Sequence, residues 1–189
     1  MNLKKATIII CAVWTLIISF WVIKNEIILN NGREVLLKTV PVDPRDILMG
    51  DYVILNYEIG QIDLKDSSYN YAQVIAKDGK KRYVPSCKYE LNKQVYTKLS
   101  IDKNNLAHVE GIYDKKPNNN HLYLKGKMSK CDTILTFWKN GTCIKYGIES
   151  YYVKEKTGRD IEKNLRNGTL VKVSIDKNGN AKIKELVSK

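Results

Sequence analysis

The sequence is poor in the residues that build metal centres, disulfide frameworks and nucleic-acid sites. Its 189 residues include four cysteines, too few for a small secreted fold held together by disulfides. His108 and His121, the only histidines, lie 13 positions apart, and no C-x-x-C or H-x-x-x-H spacing is present. We expect a structural role for His108 in a strand and a solvated position for His121, and we predict no metal and no cofactor.

Arginine is also scarce, although the net charge is +12. Only 5 of the 32 basic residues are arginine, and the lysines are scattered along the whole chain. A nucleic-acid site would show clustered arginine with interleaved aromatic residues, whereas scattered charge is typical of a solvated surface. We therefore predict no nucleic-acid partner.

One long uncharged segment is present near the N-terminus. Residues 6–23 read ATIIICAVWTLIISFWVI, 18 positions without a charge. As a helix they extend about 27 Å, close to the ~30 Å hydrocarbon core of a bilayer. A cleaved signal peptide would have a shorter apolar segment followed by small residues, but bulky Phe20 and Trp21 stand at this end. Cys11 follows Ile10, which does not fit a lipoprotein signal. The segment predicts an uncleaved transmembrane signal-anchor helix that contacts membrane lipid.

The flanking charges bear on the orientation of this helix. Lys4 and Lys5 crowd the short N-terminal flank, but Lys24, Arg33 and Lys38 follow on the other side, so the count alone does not decide. Because long domains cross the membrane largely regardless of charge, the tight N-terminal pair carries more weight. We predict a single-pass protein of the cell membrane with a cytoplasmic N-terminus at 1–5, a transmembrane helix at 6–23, a juxtamembrane linker at 24–33 and an extracytoplasmic β-rich domain at 34–189.

The rest of the chain shows short alternating segments typical of strands. Residues 51–59 place an apolar side chain at every second position, and turn sequences such as Asp78-Gly79 separate further apolar segments. One short helix fits near the C-terminus, where Thr157 is a suitable cap and Gly168 follows the end. The pattern predicts a mostly β protein, in which the N-terminal transmembrane helix precedes an antiparallel β-sandwich or partly open barrel with one short helix near the C-terminus.

Two clusters are richer in proline, glycine, acidic and aromatic residues than their surroundings. The first reads PVDPRD over 41–46 and GDYVILNY over 50–57, and the second reads YGIESYYV over 146–153 and continues to residue 162. The candidate functional residues in these clusters are Asp43, Pro44, Arg45, Asp46, Gly50, Asp51, Tyr52, Leu55, Tyr57, Tyr146, Gly147, Glu149, Tyr151, Glu155, Gly158 and Glu162.

Two long motifs in this order resemble the GDYxxLxY-motif family of bacterial membrane-anchored proteins. The resemblance covers both ends of the part that follows the anchor, while residues 60–140 match less distinctly. It implies an architecture and a location but no established activity. It also implies a partner, a multi-span membrane protein.

Physical chemistry gives the motif residues structural roles independently of any family. Pro44 holds Asp43 extended and fixes a turn, and Asp51 is suited to accept backbone N–H groups nearby. Glu149 lies among apolar residues, so its burial would require a cationic partner. We therefore hypothesise an Arg45–Glu149 salt bridge that joins the two motifs. A rigid turn that leads into a strand is favoured over a ligand or catalytic site, since turn chemistry explains every proline, glycine and aspartate of the first motif.

Alternation within the first motif predicts which side chains face the core. Leu55 and Tyr57 share one face of a strand with Val53 and Ile59. We also expect the Y-G-I-E segment at 146–149 to lie close to the first motif.

The first motif also admits an enzymatic interpretation. The first motif is similar to a piece of type I signal peptidase, but no serine or cysteine nucleophile lies between Pro41 and Ile59. We keep a catalytically silent relative of that fold as a structural alternative. An envelope hydrolase would need paired carboxylates, for which the candidates are Asp43, Asp46, Asp51 and Glu149. We predict a binding or assembly partner of a membrane or envelope protein, with the envelope hydrolase as the alternative, and we favour a non-enzymatic protein.

Three cysteines lie in the part of the chain predicted to face an oxidising exterior. Cys87, Cys131 and Cys143 are an odd number, so one would stay free if two paired. A two-residue turn at 140–141 would place Cys143 opposite Trp138. Hairpin register therefore gives no support to a bridge between Cys131 and Cys143, and we predict none.

Overall fold

The structure is a computed structural model that describes residues 3–40, 52–62, 71–86, 90–118, 121–130, 142–152 and 169–187. Within these ranges it has one α-helix, α1 (Leu3–Asn31), and thirteen strands. The strands are β1 (Arg33–Val40), β2 (Tyr52–Ile54), β3 (Asn56–Tyr57), β4 (Gln61–Ile62), β5 (Tyr71–Ile75), β6 (Lys81–Pro85), β7 (Gln94–Ile101), β8 (Ala107–Tyr113), β9 (Tyr123–Lys130), β10 (Thr142–Lys145), β11 (Ser150–Tyr152), β12 (Leu170–Ile175) and β13 (Ala181–Val187). The prediction of a mostly β protein with an N-terminal apolar helix is confirmed.

Two larger antiparallel sheets form the body of the β-rich part. Their strand orders are β13-β12-β1-β3 and β4-β10-β9-β7-β8. A single 3₁₀ turn at Glu58–Gly60 connects β3 to β4 and so joins the two sheets. On the edge of β1 that faces away from β12, the Leu36 N–H donates to the Asn105 carbonyl oxygen at 2.9 Å, and Leu36 forms an isolated bridge with Leu106. The result is an open, curled sheet, as the prediction of an antiparallel sandwich or partly open barrel requires.

The core lies between the inward faces of these sheets. Alternating residues point inward along the strands, and the fully buried ones are mainly aliphatic. Each buried aliphatic side chain contributes about 1.5–3 kcal/mol by leaving water. The largest apolar members of this core are Leu37, Leu55, Ile62, Ile112, Leu124, Met128, Ile175, Val35, Val95, Val171 and Val173.

Several strands and turns read from the sequence are found where expected. The hairpin of β5 and β6 turns at Gly79, and that of β12 and β13 turns at Gly179, with φ of 73° and 77°. Glycine suits these positions because positive φ costs it no steric penalty. The short helix predicted near the C-terminus falls within residues 153–168, outside the described residues.

The N-terminal helix is longer than the apolar segment that predicted it. Residues 24–33, assigned to a juxtamembrane linker, are helical as far as Asn31, and β1 begins at Arg33. The extension is held against the sheet, since Ile28 is buried and the Ser174 Oγ donates to its carbonyl oxygen at 2.6 Å. By length and composition α1 could cross a membrane, with a mean hydropathy of 2.5 over its most apolar window and none of that window buried.

Candidate functional site

The two sequence motifs lie against each other in the structure. Strand β2 of the first motif pairs antiparallel with β11 of the second, with Tyr52 opposite Tyr152 and Ile54 opposite Ser150. The Leu55 N–H then donates to the Glu149 carbonyl oxygen at 2.7 Å. The expectation that the Y-G-I-E segment lies close to the first motif is therefore confirmed.

Two buried tyrosines stabilise the contact between the two motifs through hydrogen bonds. The Tyr57 Oη donates to the Ile148 carbonyl oxygen at 2.7 Å, and the Tyr146 Oη donates to the Ile59 carbonyl oxygen at 2.9 Å. We call these two tyrosines with their acceptors Ile59 and Ile148 the tyrosine clasp. All four residues are at most 7% exposed. Leu55, Tyr57 and Ile59 face the core, as alternation predicted, although the strand breaks into β2, β3 and the 3₁₀ turn.

A third hydroxyl completes the clasp. Thr97, fully buried on β7, lies 2.9 Å from the Tyr146 Oη. Because the single Tyr146 hydroxyl proton goes to the Ile59 carbonyl, the Thr97 hydroxyl donates to Tyr146. Thr97 is not among the candidate residues named from the sequence. A signal was available, since Thr97 is the polar residue at an inward position between Val95 and Leu99.

Burial keeps both clasp tyrosines neutral. It raises the pKa of Tyr57 and of Tyr146 well above the ordinary value for a phenol, and the negative charge of Glu149 raises both further. A tyrosine with a raised pKa holds its proton and donates a hydrogen bond. It is a poor general base or nucleophile at neutral pH, so the chemistry of the pair is structural.

The Glu149 carboxylate caps the turn that begins the second motif. Its two oxygens accept the backbone N–H groups of Tyr146 and Gly147, the latter at 2.9 Å. Gly147 has φ of 79°, a conformation that side-chain-bearing residues rarely adopt. The described partners of this carboxylate are thus backbone donors. Arg45, its hypothesised partner, lies outside the described residues, and the bridge stays a prediction.

The remaining candidate residues divide by whether the structure describes them. Tyr151 is half-buried on β11 and packs against the core. The described residues contain no group of histidine, cysteine or acidic side chains that could hold a metal ion. The carboxylate pair of the hydrolase alternative stays a prediction, because its aspartates lie outside the described residues. The candidates outside those residues are Asp43, Pro44, Arg45, Asp46, Gly50, Asp51, Glu155, Gly158 and Glu162.

The two histidines occupy the positions expected of them. His108 is buried on β8, with its Nε2 3.3 Å from the Asp102 Oδ2. The pKa of Asp102 is lowered, first by the Leu106 N–H and then by His108. His121 is exposed. His108 is therefore a structural residue of β8 that contacts Asp102 in the β7–β8 turn.

The absence of a bridge between Cys131 and Cys143 stays a prediction, because Cys131 lies outside the described residues. Strand β10 pairs with β9 on one side and β4 on the other, so Cys143 lies opposite Ser129 and Gln61, and both of its sheet neighbours are accounted for. Trp138, the neighbour expected from a two-residue turn, lies outside the described residues. Cys143 is disulfide-bonded, and its partner lies outside the described residues. Cys11, in α1, is free.

The family to which these features belong follows from comparison with known proteins. The family model described as "GDYXXLXY protein" matches residues 14–186. No curated protein and no solved structure gives a match. The matched region runs from the apolar helix through both motifs to the last strand, and the chain belongs to the GDYXXLXY protein family.

Proposed function

We propose that this chain is a bacterial, single-pass membrane-anchored protein whose β-rich part lies outside the cytoplasm and assembles with a membrane or envelope protein. In this proposal the chain has no catalytic activity of its own. The observation that carries it is the exposed apolar helix α1, which runs without interruption into a packed β domain.

The joint between helix and domain supports a positioning role. Gly32 donates its N–H to the Ile28 carbonyl oxygen at 3.1 Å, and the Ser174 hydroxyl donates to the same oxygen. Ile28 itself is buried against the sheet. A domain fixed to its anchor by such contacts is held at a defined height and angle, which suits binding to a neighbour in the same membrane.

The disulfide of Cys143 supports the outside location. Disulfides persist in oxidising compartments and are rare in the cytosol. This argument is independent of the charges that flank α1, which leave the orientation open.

The motif region supports assembly over catalysis. The hydroxyls of Tyr57 and Tyr146 and the Glu149 carboxylate are engaged with backbone groups. The outer face of the β2–β11 ribbon instead exposes apolar surface, with Ile54 44% and Tyr152 82% exposed. Ile54 pairs with Ser150, which lies two positions before Tyr152 on the same strand. Ile54 and Tyr152 are therefore on one face of the ribbon. In this proposal that face contacts the partner.

A matched pair of tyrosine variants tests the assembly. Full-length protein would be cross-linked in native membranes, purified in mild detergent and analysed by mass spectrometry. Tyr152→Ser should reduce the recovery of a specific membrane protein several-fold. Tyr83→Ser, which removes another exposed tyrosine (58%) on the β5–β6 hairpin, should not. Equal recovery with both variants, or no specific protein with the wild type, contradicts the proposal.

The location is tested separately through Cys143. Intact cells would be lysed in iodoacetamide, and the Cys143 peptide would be measured before and after reduction. Protection of Cys143 until reduction, together with an exterior reporter that is active when fused after Lys189, is the expected result. Alkylation of Cys143 without reduction, or a reporter active only in the cytoplasm, contradicts an extracytoplasmic domain.

A further inference from the structure

We propose that Lys24 and Lys182, beside Trp21, form a binding site for the phosphate group of an anionic phospholipid in the leaflet next to the β domain. This inference rests on the proposed function in one respect, namely that α1 spans the membrane. It assigns a role to the edge strand β13 that neither motif explains.

The positions of Trp21 and Ile28 along α1 set the height of the β domain above the bilayer. If residues 6–23 fill the hydrocarbon core, Trp21 lies near its boundary, where tryptophan is favoured. Among the described side chains of α1, the first that is buried is Ile28, seven residues or about 10 Å further on. The headgroup layer is only about 5–8 Å thick on each side of the core. The domain therefore begins where the headgroups end, with no flexible linker between them.

Strand β13 brings a lysine side chain close to the part of α1 near the membrane boundary. The Nζ of Lys182 on β13 lies 6.0 Å from the centroid of the Trp21 ring. Lys182 pairs in register with Ser174, whose hydroxyl binds the Ile28 carbonyl, so the same stretch of sheet faces the helix. Strand β13 is the edge of its sheet within the described residues. Its lysine is thus brought to the level of the lipid headgroups.

Lys182 differs from the neighbouring lysines in its ionic partners. On the same two strands, Lys184 pairs with Glu34 at 2.6 Å and Lys172 pairs with Glu185. No acidic side chain of the described residues pairs with Lys182, whose aromatic contact leaves its positive charge uncompensated. A cation over an indole ring keeps its remaining N–H donors free for an anion.

Lys24 supplies a second positive charge, on the helix itself. Lys24 is exposed and stands three residues after Trp21, so both lie on the same side of α1. Lys24 thus places a second ammonium group on the side of α1 that carries Trp21 and faces Lys182. A phosphodiester supplies the matching charge and acceptor oxygens. Each lysine near an anionic surface contributes roughly fivefold in lipid affinity.

The experiment uses the full-length protein in nanodiscs that contain phosphatidylcholine with 20% phosphatidylglycerol. After transfer to mild detergent, native mass spectrometry would count the phosphatidylglycerol molecules retained per chain. Lys182→Gln and Lys24→Gln should each lower retention about fivefold. The matched control is Lys127→Gln, which removes the same charge from an exposed position on β9.

The outcomes separate this inference from the proposed function. Equal retention in Lys182→Gln, Lys127→Gln and wild-type protein overturns the lipid site while leaving the anchor intact. An equal loss in all three variants also overturns it, because net charge alone would then explain retention. Failure of the wild-type chain to enter nanodiscs at all, tested by flotation, overturns the transmembrane anchor itself.

Discussion

Tyr57 and Tyr146 are bound reciprocally, since each hydroxyl donates to the carbonyl oxygen two residues after the other tyrosine. The last tyrosine of the first motif reaches Ile148, and the first tyrosine of the second motif reaches Ile59. The arrangement explains why the two motifs occur together in one chain. The tyrosine of each motif donates a hydrogen bond to a buried carbonyl group beside the other tyrosine, which would otherwise have no partner.

Removal of either clasp hydroxyl should destabilise the fold. Tyr57→Phe leaves the Ile148 carbonyl unpaired, and we expect a loss of about 1–3 kcal/mol in the free energy of unfolding. Tyr146→Phe should cost at least as much, because it also removes the acceptor of the Thr97 hydroxyl. Urea unfolding of the full chain in detergent micelles, followed by circular dichroism, measures both.

The exposed Tyr83 provides the control for this pair. Tyr83→Phe removes a hydroxyl from a side chain that is 58% exposed, so its effect should stay within about 0.5 kcal/mol. If the two clasp variants unfold at the same urea concentration as Tyr83→Phe, the clasp does not stabilise the protein.

The raised pKa values of the clasp tyrosines predict a loss of stability in alkali. Above the ordinary phenol pKa of 10.0, tyrosine in the unfolded chain loses its proton, while Tyr57 and Tyr146 in the folded chain keep theirs. The unfolded state then binds fewer protons, so stability present below pH 10 falls as pH rises above it. Each tyrosine adds about 1.4 kcal/mol per pH unit to this fall.

A double variant separates this effect from the titration of the lysines. Tyr57→Phe/Tyr146→Phe retains every lysine but lacks both phenols. Between pH 10 and pH 11 its unfolding free energy should fall less steeply than that of the wild type. Identical slopes for the two proteins would mean that the clasp phenols ionise equally in the folded and unfolded states.

The sequence predicted the parts of this structure that depend on local pattern. Hairpins at Gly79 and Gly179 followed from turn residues between apolar segments, and the burial of Leu55 followed from period-two alternation. Long-range pairing was beyond such reasoning. A two-residue turn would have set Cys143 opposite Trp138, whereas its cross-strand neighbours in the structure are Ser129 and Gln61, 14 and 82 positions away along the chain.

The contacts between α1 and the sheet at the helix–domain joint are also long-range, so local sequence pattern could not predict them. The hydroxyl of Ser174 binds the Ile28 carbonyl across a separation of 146 positions. No local pattern links these residues. Residues 24–31 are polar enough to read as a linker, but they are helical and pack against the sheet at Ile28.

Replacement of Glu149 tests how the second motif is organised. Glu149→Gln leaves one acceptor oxygen for two backbone N–H groups, those of Tyr146 and Gly147, and should cost about 1–2 kcal/mol. A double-mutant cycle with Arg45→Met measures the hypothesised salt bridge. A coupling energy near zero removes that bridge and leaves the carboxylate as a turn cap alone. No stability loss in Glu149→Gln would contradict the capping role.

The last prediction concerns Gly32, where the helix turns into β1. A Cβ at this position would overlap the Ser174 Oγ and lie 2.6 Å from the Ile28 carbonyl oxygen. Gly32→Ala should therefore lower the free energy of unfolding by about 1–3 kcal/mol, through overpacking of the joint. Hydrogen exchange of the peptide that contains Ile28 should rise with it, because the overlap pushes the end of α1 away from the sheet.

Two further variants show whether the effect comes from this contact. Ser174→Ala removes the overlapping oxygen together with its hydrogen bond and should cost about 1 kcal/mol alone. The double variant Gly32→Ala/Ser174→Ala should lose less stability than the two single losses added, since the worst overlap is gone while the Ile28 carbonyl still crowds the new methyl group. Gly79→Ala meets no atom within 4 Å and has φ of 73°, so its loss reports backbone strain alone and should leave exchange at Ile28 unchanged. Wild-type stability and exchange in Gly32→Ala would show that the helix and the β domain are not held together at this joint.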